Sequence, residues 1–354
     1  MFKTSLKRTL LRVMDIVGHI PLPDTERDWL CRRFCPRLLD PRVLPRQLYA
    51  RRLRGLPVTV LCNPYIYSHR NTYWFGYLYD VGLDRYLRSQ LQPGDSVIDI
   101  GCHIGHLTTL AAALVGDQGH VFAFDPRQDL VKMAKEHCAA QKLNQVSVFS
   151  MGLSGQEGQA TVHVDPNRLG AGRLGSMGVG GGSPTTTNDT TVNIDIRRGD
   201  DVMGNLNFTG RVFARVSVEG REPDVIRGMP QLLTDVISHM MVEVTPGWVD
   251  GVGGLVDLFA MMNDHGFEAK QLLRSGKVGD TLLPYTVRST TNVLFIKFPE
   301  LDDPYPVPRR IRPGSSGTIT HPPYSLDQGF EAPDPTSPPQ SPAIPDNESE
   351  TPPT

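Results

Sequence analysis

Long apolar runs are missing from this 354-residue chain. No stretch reaches the ~18–20 apolar residues needed to cross a bilayer, which excludes a spanning helix. An excess of either charge is missing too. Lys and Arg number 36 against 38 Asp and Glu, a net charge of −2, and this speaks against a chain that grips nucleic acid over its whole surface. Cysteine is scarce and odd in number, with five at positions 31, 35, 62, 102 and 138. Cys31-x-x-x-Cys35 has no second pair, so neither a zinc site nor a disulfide framework is expected, no metal is assigned, and a reduced cytoplasmic chain is the expectation. The basic residues Lys3, Lys7, Arg8 and Arg12 precede no small-residue cleavage site, so a secreted product is not expected. Apolar content is 39%, below the usual ~45–50%, because the two ends are not core-like.

Those ends differ from the middle. Residues 3–18 place Leu6, Leu10, Val13, Met14 and Val17 at helical intervals. Such a basic amphipathic helix can lie on an anionic membrane surface, pack on a partner protein, or simply dock on its own chain. Residues 21–57 carry many Pro and Arg without a period, so 1–57 is expected as an N-terminal extension. From 299 to 354 fall half of the chain's 30 prolines. That tail cannot bury enough surface to fold and is expected to be disordered. Its Pro-rich pieces between 335 and 345 also suit a protein groove that reads polyproline. Residues 168–190 hold seven glycines, and are expected as an insertion, or a lid, within a domain spanning 58–298.

The middle is organised around Ser96-Val-Ile-Asp-Ile-Gly101-Cys-His-Ile-Gly105-His-Leu-Thr. An apolar strand breaks into a glycine-spaced turn and re-enters an apolar helix. Gly101 and Gly105 are suited to a tight turn and a close ligand approach. The next strand, 120–124, stops at Asp125-Pro126. A glycine turn after one strand and a carboxylate after the next is how an α/β sheet holds an adenosine, the acid taking the ribose hydroxyls. A dinucleotide fingerprint wants a third glycine, absent here, and Asp99 would repel a phosphate. S-adenosylmethionine fits instead, having a cationic sulfonium and an ammonium but no phosphate. The same residues also describe a plain buried strand-turn-helix in which Asp125 only caps a helix. Met151, ending strand 146–150, would lie beside the adenine.

Before this motif, residues 58–81 are dense in aromatics, which form either a cap over the sheet's open end or a substrate-facing wall. None is assigned a catalytic role. After it, strands and helices alternate to residue 298, which predicts a mostly parallel twisted sheet with helices on both faces. A second polar cluster closes one of these strands: Arg215-Val-Ser-Val-Glu219-Gly-Arg-Glu222, with Glu243 ending the neighbouring strand. Converging carboxylates can deprotonate or orient an acceptor hydroxyl, or hold a cation. Glu222 can equally cap the helix that follows.

These motifs resemble the FkbM family of S-adenosylmethionine-dependent class I methyltransferases. The matching residues are Asp99, Gly101 and Gly105; Phe124, Asp125 and Pro126; Arg215, Glu219, Gly220 and Glu222; Glu243; and Gly266-Phe267. The resemblance covers roughly 76–298 and implies a Rossmann-like class I methyltransferase fold. It also implies S-adenosylmethionine held by Asp99, Gly101, His103, Gly105, Asp125, Pro126 and Met151, and methyl transfer with Glu219, Glu222 and Glu243 at the reacting edge. The acceptor it implies is a small-molecule or glycan hydroxyl, commonly of a sugar or secondary metabolite. The chain departs from the family pattern at Cys102-His103, where Ala-Asn is usual, at Arg215 for Lys, and at Ser217 for Asp. If that Asp serves catalysis, the chain is an impaired methyltransferase fold acting as a scaffold, or works on a different acceptor.

Overall fold

In the computed structural model the described residues are 9–298, apart from 15, 17–19, 21, 165–171, 175–189 and 247–253. The Pro-rich tail at 299–354 and most of the Gly-rich segment at 168–190 lie outside the described residues.

A short antiparallel hairpin, β1 (Tyr49–Arg52) and β2 (Thr59–Cys62), precedes helix α1 (Val81–Gln90). Then come β3 (Ser96–Ile100), α2 (His106–Val115), β4 (His120–Asp125), α3 (Gln128–Ala140) and β5 (Val146–Ser150). Every residue of β3 is buried. Its alternation sends Val97 into an apolar cluster with Leu87, Leu110 and Ala111, and Ile98 and Ile100 into another with Phe124, Val225 and Ile226. A strand apolar on both faces is what a sheet covered on both sides requires.

The chain then builds a small separate sheet from β6 (Gly152–Leu153), β7 (Gly158–Val164), β8 (Gly172–Leu174) and β9 (Thr190–Arg197). It returns through β10 (Val212–Val216), α4 (Glu222–Arg227), β11 (Ile237–Val244), α5 (Gly254–Asp264), β12 (Phe267–Leu272), β13 (Val278–Thr281) and β14 (Thr291–Lys297). The main sheet has the order β13-β12-β14-β11-β10-β3-β4-β5. The pairs from β5 through β11 are parallel, and those of β14, β12 and β13 are antiparallel. This is the mostly parallel, Rossmann-like arrangement expected. Strand order reverses between β3 and β10, and ligands of such sheets sit at the carboxyl ends of the strands at that reversal.

Two differences from the sequence reading have physical causes. The outer strands β12 and β13 are not expected from the sequence; they are short and half exposed, so they lack the apolar run of a central strand. The described part of 1–57 does not stand apart as an extension. Cys35, Leu38, Leu44 and Leu53 are buried in the cluster that holds Leu87 and Leu110, because aliphatic residues scattered without a period still find one face of the sheet to cover. Among the described residues no helix is long and apolar enough to cross a membrane.

Candidate active site

A cleft of about 1270 Å³ opens at the carboxyl ends of β3, β4, β10 and β11. Its floor is the turn after β3. Gly101 has φ +83°, and the amides of Gly101 and Cys102 both donate to the Phe124 carbonyl, at 2.8 and 3.0 Å. From the other side the Ser217 amide donates to the Ile100 carbonyl at 3.0 Å. A Cβ on Gly101 would lie 2.0 Å from the Ser217 carbonyl oxygen. Only glycine allows β3 and β10 to approach this closely.

Asp99 lies beneath this floor and does not line the cleft. It is fully buried, its Oδ2 accepts from Thr108 Oγ1 at 2.6 Å, and Arg215 Nη1 stands 3.7 Å from its Oδ1. Burial raises its pKa, while Arg215 and Thr108 oppose the rise. Gly105 is also outside the cleft wall. With φ +82° it opens α2, where a Cβ would meet that of Ala134 at 3.3 Å. The other expected cofactor residues, Gly101, His103, Asp125, Pro126 and Met151, all line the cleft. Asp125 accepts from the His103 amide at 2.9 Å and the Arg127 amide at 3.0 Å. Its pKa is raised by burial and lowered by those two amides. His103 holds φ +54°. Its pKa is pushed down to about 3, by burial first and then by His106 and Arg127, so its ring is neutral.

At the reacting edge the three expected carboxylates separate. Glu222 is buried and outside the wall, its oxygens accepting from the Val218 amide at 3.0 Å and the Gly220 amide at 3.0 Å. Burial raises its pKa and those amides oppose this. It closes the turn before α4. Glu219 lines the cleft, exposed and at φ +54°. Glu243, on β11, also lines it, and its Oε2 accepts from Ser217 Oγ at 2.6 Å and Arg215 Nη2 at 3.3 Å. Arg215 also donates to the Gly101 carbonyl at 2.9 Å. One guanidinium thus spans the cofactor turn, buried Asp99 and Glu243, a reach that suits its planar fork better than a lysine ammonium.

Sequence reasoning assigned no role to several further wall residues. His69 and His106 pack with ring centroids 4.7 Å apart, and His69 stands 6.1 Å from His103. His69 Nδ1 accepts from the Asn63 amide at 3.1 Å, and its pKa falls to about 2 through burial and then the neighbouring His106 and His103. Among the described residues no group of three or more His, Cys, Asp or Glu could hold a metal ion. The aromatic stretch divides: Tyr65, Tyr67 and Tyr79 face the cleft, whereas Tyr73, Trp74 and Phe75 are core. Residues so close in sequence carry no period that would separate the two sets.

Residues 99–269 match the profile described as "Methyltransferase FkbM domain". A 23S rRNA (uracil(1939)-C(5))-methyltransferase of Acinetobacter baylyi is 30% identical over 90 residues, 23% of this chain and 19% of that protein. A "Probable cobalt-precorrin-6B C(15)-methyltransferase (decarboxylating)" of Sulfurisphaera tokodaii is 33% identical over 78 residues, 22% of this chain and 38% of that one. The chain thus spans only about a fifth to two fifths of the length of these relatives. Among solved structures, a methyltransferase FkbM from Methylobacillus flagellatus is similar at 13% identity and a TM-score of 0.36, covering 58% of this chain and 44% of that one.

Proposed function

From the membership of residues 99–269 in the S-adenosylmethionine-dependent FkbM methyltransferases, we propose that this chain methylates a hydroxyl oxygen of a sugar or small metabolite. The observation that carries the reading is Glu243, a half-buried carboxylate fixed by Ser217 and Arg215 where the cleft meets the end of the sheet.

The wall fits the cofactor on its own chemistry. Each Asp125 oxygen accepts one backbone amide and keeps lone-pair capacity for a ribose hydroxyl. Buried His103 Nε2 has no hydrogen-bond partner. Asp125 would hold the ribose, Met151 would flank the adenine, and the turn from Gly101 to His103 would receive the amino-acid end. When bound, S-adenosylmethionine supplies an electrophilic methyl group on its sulfonium.

What the chain must add is alignment of the acceptor and a place for its proton. Glu243 is suited to accept that proton, since its Oε2 is held by a hydroxyl and a guanidinium rather than buried out of reach. A positioned general base contributes ~10²–10⁴-fold to rate. Glu219 is suited to orient the acceptor. Relatives named for carbon methylation match this chain over only 78 to 90 residues, and the held carboxylate favours oxygen. Ser217, the family departure, favours the same reading over an impaired scaffold, because its hydroxyl engages Glu243.

The test is calorimetric titration with S-adenosylhomocysteine, followed by methyl transfer from labelled S-adenosylmethionine to a panel of hydroxyl compounds. Binding with O-methylated product is the expected result. A folded protein that binds no S-adenosylhomocysteine would turn the reading to the scaffold.

A further inference from the structure

Beyond Glu243 the cleft carries groups that the methyl-transfer reading does not use. Tyr67 and Tyr79 meet edge to face with centroids 5.6 Å apart, yet they are 41% and 51% exposed on the cleft wall. Tyr79 lies within electrostatic reach of Tyr67, Glu243, Arg32 and Asp80. The Arg32 guanidinium sits 5.8 Å from the centre of the Tyr67 ring, and that of Arg46 sits 5.0 Å from the centre of Tyr65.

Charge balance sets these two arginines apart. On the same wall Arg215 pairs with Glu243, Arg221 with Asp224 and Arg127 with Asp129. Among the described residues no carboxylate forms an ion pair with Arg32 or Arg46; their contacts are tyrosine rings. A guanidinium stacked on an aromatic face keeps its donors free for a carboxylate or phosphate.

A second observation gives the rest of the ligand. Asn292 is buried on the same wall, and its Nδ2 donates to Asp80 Oδ2 at 2.6 Å. Its Oδ1 is buried with no hydrogen-bond partner. A buried acceptor left unpaired is costly, and a ligand hydroxyl would satisfy it.

We propose that the methyl acceptor is an anionic polyhydroxy compound. Its carboxylate or phosphate is held by Arg32 and Arg46, one hydroxyl donates to Asn292 Oδ1, and another reaches Glu243. The tyrosines supply the apolar wall against which its ring lies. This inference rests on the methyltransferase reading of the same cleft.

The test uses the full chain saturated with S-adenosylhomocysteine, titrated with D-glucuronate, D-glucose 6-phosphate and D-glucose while binding is followed by NMR. The expected result is that at least one acid binds tenfold or more tighter than glucose. Which acid does so identifies carboxylate or phosphate as the recognised group. Arg32→Gln should bring the ratio of acid to neutral affinity close to one, and Arg32→Lys should retain most of it, with circular dichroism checking the fold of each variant. A wild type that does not discriminate, or an Arg32→Gln variant that discriminates as well as wild type, overturns the proposal while leaving the methyltransferase reading standing. Failure of S-adenosylhomocysteine to bind overturns both.

Discussion

Single carboxylates decide the chemistry offered by this cleft, and each can be tested alone. Asp125→Ala should abolish detectable binding of S-adenosylhomocysteine, read by calorimetry, because two amides and a ligand depend on that one side chain. Glu243→Gln should lower kcat by ~10²–10⁴-fold while S-adenosylhomocysteine still binds; unchanged turnover would remove Glu243 from the mechanism. Ser217 allows a sharper test. The family's Asp restored as Ser217→Asp would set a second carboxylate where Oγ now lies 2.6 Å from Glu243. Like charges that close disfavour ionisation of one of them. Turnover should therefore fall and its pH profile move, whereas a rise would mean that Ser217 had impaired the chain.

At the scale of elements, the cleft depends on how β3 and β10 are joined. At one end Asp95 accepts from Gln92 N at 2.9 Å, from the Arg211 amide at 3.0 Å and from Arg211 Nη2 at 2.8 Å. It is buried, so Asp95→Ala strands several donors at once and should cost about 3 kcal/mol in urea unfolding, with cofactor affinity of the folded protein little changed. At the other end Gly101→Ala combines φ +83° with a Cβ placed against the Ser217 carbonyl. It should cost on the order of 3 kcal/mol and, unlike Asp95→Ala, weaken cofactor binding as well, because it parts the strands at the cleft floor. Equal effects of the two variants on cofactor affinity would contradict this division.

For the molecule as a whole, buried neutral histidines make stability depend on pH. His69 is 4% exposed with its folded pKa lowered to about 2, against about 6.5 unfolded. Its folded pKa is depressed, so between those values the unfolded chain binds the extra proton. Stability is then fully present above about pH 6.5 and declines as pH falls toward the folded value, by up to about 1.4 kcal/mol per pH unit for one such group. Buried Asp99, Asp125 and Glu222, with raised pKa values, act in the opposite sense above their unfolded range near pH 4. Urea unfolding of wild type and His69→Asn at pH 7 and pH 5.5 separates the two: the variant should lose less stability over that interval. An identical loss would show that His69 is not the group responsible.

Local order determined much of this from sequence. The apolar run into Gly101, the acid at Asp125 and the alternation of strand and helix predict a parallel sheet with its crevice at the carboxyl ends, because period and turn chemistry are properties of neighbouring residues. The half-exposed outer strands β12 and β13 were not legible, since their patterns depend on what covers them. Nor was the division of the acids. Sequence leaves Glu222 open between the reacting edge and a helix cap, and only the tertiary structure turns it onto two backbone amides and sets Glu243 against Ser217 and Arg215. Asp99 could be placed at the end of β3 but not beneath the cleft floor. Which direction a side chain faces at a strand end follows from the strands beside it, and β3, β10 and β11 lie more than a hundred residues apart at their extremes. That Arg32, Tyr79 and Asn292 line one cleft is of the same kind, since the three come from segments that share no sequence neighbourhood.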